Sequence, residues 1–150
     1  MTKIRHCLLL LLFLCPAVSL PAIDFGLFGG SMGHPGKLTF GGALRTGMFI
    51  PFTRLEFEAS RGLEPKRTMM SVALQVTGKF GHLAPYALAG VGTTFDRLNL
   101  HFSEYETMTF LGGGIHLYLI EYLSLRGDIR FVRLEGENYT RLSAGIFAHL

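Results

Sequence analysis

The sequence predicts an all-β chain, an antiparallel up-and-down eight-stranded membrane β-barrel at residues 23–150 behind an export signal at residues 1–22. Three observations carry this. Period-two alternation of apolar and polar residues recurs along residues 23–150, the pattern of strands with two unlike faces. Gly, Pro and charged residues punctuate it at short intervals. No later segment has the roughly 18 continuous apolar residues of a membrane helix.

The export signal comes first. Lys3 and Arg5 give a positive start, residues 8–15 (LLLLLFLC) are unbroken apolar, Pro16 ends the run and Ala22 offers a small cleavage residue. The run is too short to cross a bilayer as a helix, so it reads as a secretion signal. A lipoprotein cleavage at Cys15 is disfavoured, because Phe13 and Leu14 before it are not small.

Removing the signal changes what composition means. The chain carries 14 Lys+Arg and 11 Asp+Glu; taking away Lys3 and Arg5 leaves 12 against 11. The basic balance is therefore no argument for nucleic acid. Cys7 and Cys15 leave as well, so no disulfide or thiol chemistry is expected in the exported domain.

Strands are predicted near 23–32, 38–48, 53–61, 68–80, 85–95, 106–119, 123–134 and 139–150. The first rests on Gly-rich alternation and is the weakest pattern. In the third, Leu55, Phe57 and Ala59 oppose Arg54, Glu56, Glu58 and Ser60. In the fourth, Val72, Leu74 and Val76 oppose Ser71, Gln75, Thr77 and Lys79. The seventh is the clearest: Leu123, Leu125, Ile129 and Phe131 face one way, and Ser124, Arg126, Asp128 and Arg130 the other. The eighth sets Leu142, Ala144, Ile146, Ala148 and Leu150 against Arg141, Ser143, Gly145, Phe147 and His149. A membrane strand needs about 9–11 residues, and eight of them with short connections fit residues 23–150.

Alternation alone leaves open which face is inside. A soluble lipocalin-like barrel keeps apolar residues inside, and a membrane barrel turns them to lipid. The inverted arrangement is favoured by one mixed-sign set on the polar face: Arg45, Glu56, Glu58, Lys79, Arg126, Asp128 and Arg130. Three acidic and four basic groups can neutralise one another in a narrow lumen, where unpaired charge is costly. The apolar face of residues 123–131 spans roughly 25–30 Å at about 3.3 Å per residue, close to a lipid-facing band. The chain also stops on its last strand at Leu150 with no polar tail. There is no Trp, so Tyr86, Tyr118, Tyr122 and Tyr139 are the expected interfacial aromatics.

These stretches resemble the small outer-membrane barrels of OmpA, OmpX and OmpW type. The resemblance lies in residues 85–92 (PYALAGVG), 112–119 (GGGIHLYL), 123–126 (LSLR) with 130–133 (RFVR), and 141–145 (RLSAG). It implies an outer-membrane location, outer-membrane lipid and the barrel-insertion machinery as partners, a monomer, and no cofactor. One departure is Leu150, where such barrels end on an aromatic residue.

Candidate chemistry is sparse. His101 and Ser103 form a His-x-Ser pair like that of outer-membrane lipid A deacylases, but the pair falls in the longest predicted loop. Arg126-Gly127-Asp128 spells an integrin tripeptide, yet alternation places it mid-strand. Gly90-Val91-Gly92 and Gly112-Gly113-Gly114 lack the following helix a phosphate loop needs. Asn138-Tyr139-Thr140 matches a glycosylation acceptor by chance, and six scattered histidines show no metal-ligand spacing. The expectation is a non-enzymatic envelope barrel with a structural or surface-interaction role. The alternatives are a lipid A-modifying enzyme and a soluble periplasmic binding barrel.

Overall fold

The computed structural model describes residues 22–33, 36–48, 50–63, 67–95 and 106–150. Residues 1–21 of the expected export signal (1–22) and the connection 96–105, with His101 and Ser103, lie outside the described residues.

Eight strands follow in chain order: β1 (Ile23–Met32), β2 (Lys37–Gly47), β3 (Thr53–Gly62), β4 (Thr68–Thr77), β5 (Leu83–Phe95), β6 (Glu106–Ile120), β7 (Leu123–Leu134) and β8 (Glu137–His149). Each pairs antiparallel with the next, and β1 pairs with β8 to close the barrel. The seam runs from Asp24 opposite His149 to Met32 opposite Arg141. Closure leaves no free sheet edge for another chain to template on.

The face assignment follows the membrane-barrel expectation. Phe25, Leu27, Leu44, Phe57, Leu74, Val91, Leu111, Ile129, Phe131, Leu142 and Ile146 are all exposed. Asp24, Arg45, Glu56, Glu58, Arg126, Asp128, Arg130 and Arg141 are buried. A soluble binding barrel has the opposite layout, so that alternative does not describe this chain.

Small residues let eight strands close around large side chains. A Cβ on Gly26 would strike the Phe147 ring, and one on Gly114 would strike the Tyr86 ring and hydroxyl. The β7–β8 turn is two residues long, Glu135-Gly136, with φ of 51° and 87°. Positive φ at both positions is what the tightest hairpin turn demands.

Two expectations need correction. Lys79 is not in the lumen: β4 ends at Thr77, and Lys79 sits exposed in the turn with its Nζ 5.1 Å from the Tyr118 ring centroid. Alternation carried the predicted strand past its end, because backbone pairing stops where the turn begins. Tyr86 is not interfacial but buried inside the barrel. Tyr122, one of the four expected aromatics, is exposed at the end of the barrel that holds Ile23 and His149, and Phe52 and Phe80 are exposed there beside it.

Candidate functional site

The interior is stacked in layers. Nearest the strand termini lies a ring of five side chains from five strands. Arg45 Nη1 is 2.5 Å from His116 Nε2, and Arg45 Nη2 donates to Asp24 Oδ2 at 2.8 Å. His116 Nδ1 is 3.1 Å from Ser124 Oγ, which lies 2.8 Å from His149 Nε2. His149 Nδ1 closes the ring on Asp24 Oδ1 at 2.9 Å. Arginine can only donate, so His116 Nε2 accepts and its proton sits on Nδ1. Ser124 then accepts from His116 and donates to His149, which donates to Asp24. Each contact around the ring thus pairs one donor with one acceptor, and Arg45 Nε is left without a partner among the described residues. Arg54 adds a further bond to Asp24.

The middle layer centres on two carboxylates. Glu56 accepts two bonds from Arg126, at 2.5 and 3.1 Å, and one from Arg130 at 2.8 Å. Asp128 accepts from Arg126 at 2.7 Å, Arg130 at 2.9 Å and Tyr86 Oη at 2.8 Å. Beside them Glu58 takes a bidentate pair from Arg141 at 2.5 and 2.9 Å, and Arg130 at 2.9 Å. Such forked pairing is the strong form of the arginine–carboxylate contact.

Aromatic rings fill the spaces between guanidinium groups. The Phe147 centroid lies 4.7 Å from Arg45 Cζ and 5.0 Å from Arg126 Cζ. Arg130 lies over Phe110 and Arg141 over Phe28, at 5.2 and 5.1 Å. These distances are in cation–π range.

Above the ionic layers, toward the 33–36, 63–67 and 135–136 connections, the interior becomes apolar. Met69, Met108, Phe110, Val132 and Leu134 form a buried cluster, with Met32 and Tyr139 packed against it. Beyond that plug is a vestibule of about 310 Å³, lined by Met32, Lys37, Thr39, Arg67, Met69 and Tyr139 among others.

Six of the seven charged residues singled out from sequence are therefore buried and ion-paired inside the barrel: Arg45 in the layer nearest the chain termini, and Glu56, Glu58, Arg126, Asp128 and Arg130 in the middle layer. Asp24, Arg54 and Arg141 join them, giving four carboxylates and five arginines among the described residues. Sequence reasoning missed Asp24 because its strand is Gly-rich. Arg54 and Arg141 carried the available signal, since both sit on the polar face of their strands. The Arg126-Gly127-Asp128 tripeptide is mid-strand, with both charged side chains buried and ion-paired, so it offers nothing to a receptor.

Asp24, His149 and Ser124 have the spacing of a nucleophile relay. The surroundings oppose that chemistry. Ser124 is 0% exposed, and its oxygen already accepts from His116. No substrate carbonyl can reach it without unpacking the barrel, and the trio reads as structural.

The fold and interior thus define a class: a small barrel of the outer-membrane type, apolar outside and filled with paired charge inside. No protein-family model and no curated protein sequence matches the chain. Solved structures do. The N-terminal β-barrel domain of Pseudomonas aeruginosa OprF aligns over 87% of this chain and 98% of its own, with TM-score 0.74 and 14% identity. Neisserial surface protein A covers 85% of this chain and 95% of its own, with TM-score 0.58 and 13% identity. The outer membrane enzyme PagL covers 85% and 98%, with TM-score 0.51 and 12% identity. At these identities the likeness is one of fold. It includes an enzyme, so the fold alone assigns no activity.

Proposed function

We propose that this chain is a non-enzymatic, monomeric outer-membrane protein that serves the envelope as a structural barrel and presents its longer connections to the exterior. The observation that carries this reading is the closed interior. Glu56, Asp128 and Glu58 knit three strands, β3, β7 and β8, through Arg126, Arg130 and Arg141, and Met69, Met108 and Phe110 plug the lumen above them. Side chains commonly fill eight-stranded barrels, and a filled interior supports a scaffold rather than a diffusion pore. β5 ends at Phe95 and β6 begins at Glu106 on the side of the barrel opposite Ile23 and His149, the side on which such barrels carry their external loops. Outer-membrane lipid on the apolar face and the insertion machinery during assembly are its implied partners.

Membrane fractionation combined with gel mobility before and after boiling tests this. The expected result is outer-membrane recovery and a heat-dependent mobility shift. Recovery of the exported chain in a detergent-free soluble fraction would overturn it.

A further inference from the structure

The vestibule above the plug is an interior space that the ionic layers do not explain. Its inner wall is apolar: Met32, Met69, Leu134 and the Tyr139 ring. Its open side is polar, with the exposed Lys37 and half-buried Arg67, and the buried Thr94 lies deeper. At about 310 Å³ it falls at the small end of ligand pockets.

A second observation points to an occupant. Thr39 is 5% exposed and lines the vestibule, yet its Oγ1 has no hydrogen-bond partner among the described residues. A buried hydroxyl without a partner is costly. A ligand group placed there would supply the missing bond.

The charges choose the kind of group. Lys37 and Thr39 are two residues apart on one face of β2, about 7 Å along the strand. Both can donate, and one acceptor between them can take both bonds. Arg67 is already committed to Glu106, at 2.9 and 3.4 Å, and Thr94 Oγ1 donates to the same carboxylate at 3.1 Å. With Arg67 held by Glu106, Lys37 carries the charge that chooses: an ammonium head beside Lys37 and Thr39 would be repelled by it. A carboxylate would accept from Lys37 and Thr39 while its alkyl tail covers Met32, Met69 and Leu134.

We propose that the vestibule binds a small amphipathic carboxylate, such as a medium-chain fatty acid, head at Lys37 and Thr39 and tail on the methionine wall. This goes beyond the envelope role and does not depend on it.

The test uses the protein purified from membranes, reconstituted in lipid nanodiscs and labelled with 13C at the methionine methyls. Octanoate is the probe. Met32 and Met69 report the vestibule, whereas Met48 and Met70 are exposed on the barrel and report partition into lipid. The expected result is a saturable shift confined to Met32 and Met69. Octylammonium should give at least tenfold weaker binding. Lys37→Gln, an exposed change that spares the fold, should weaken octanoate severalfold, and Met69→Phe should abolish the saturable shift by filling the space. Equal, non-saturating shifts at all four methyls, or equal binding of octylammonium, would overturn the proposal. So would octanoate binding that Lys37→Gln leaves unchanged.

Discussion

Glu56→Ala is the most informative single change in this barrel. Glu56 is 1% exposed and joins Arg126 and Arg130 through three hydrogen bonds. Removing it leaves the middle layer with two carboxylates, Asp128 and Glu58, facing three arginines. Breaking a buried ion pair from one side costs about 3–5 kcal/mol, because the partner charge stays behind without compensation. The structure moves this case to the low end. Arg126 keeps Asp128 and the Tyr86 hydroxyl, and Arg130 keeps Asp128 and Glu58. The expected loss is therefore about 3 kcal/mol, roughly a hundredfold in the folding constant. Pairing Glu56→Ala with Arg126→Met should recover part of the loss, since it removes one stranded cation together with its partner. Lys79→Ala provides the contrast. Lys79 is exposed and contacts only the Tyr118 ring among the described interactions, so its loss should cost no more than about 1 kcal/mol. Equilibrium urea unfolding in lipid vesicles, followed by heat-dependent gel mobility, measures all four proteins. An unchanged midpoint for Glu56→Ala would refute the claim that the network bears on stability.

Two further changes probe other parts of the barrel. Ile129→Arg puts a charge near the middle of the exposed apolar face of β7. It should cost about 2–4 kcal/mol in vesicle unfolding, as for cations at the bilayer midplane, and a neutral result would argue that this face does not meet lipid. Ser124→Ala removes the hydroxyl that bridges His116 and His149. It should lower stability by about 1–3 kcal/mol through the unpaired ring nitrogens, and a variant that instead lost an acyl-hydrolase activity would contradict the structural reading of that trio.

Strand identity is local information, and the sequence carries it. Side chains alternate with period two wherever one face meets hydrocarbon and the other meets charge, so β3 and β7 could be recognised residue by residue. The eight predicted segments correspond to the eight strands, with ends displaced by a few residues at most. Where the pattern was diluted by glycine, as in β1, the inward Asp24 was lost from view. Where alternation ran on past the last paired residue, Lys79 was placed in a lumen it never enters.

Pairing between charges is not local. Arg126 and Glu56 are 70 residues apart, and Asp24 meets His149 only because β1 closes on β8. Register and closure set those contacts, and no single strand contains them. The sequence by itself determined eight strands, each with one apolar and one polar face, and its mixed-sign charges favoured the polar face inside. Only the closed barrel decided which arginine answers which carboxylate, that Tyr86 and Phe147 fill the gaps between guanidinium groups, and that an apolar plug leaves a vestibule above it. The physical reason is that alternation fixes the face a side chain points to, while its partners depend on strands brought together from across the whole chain.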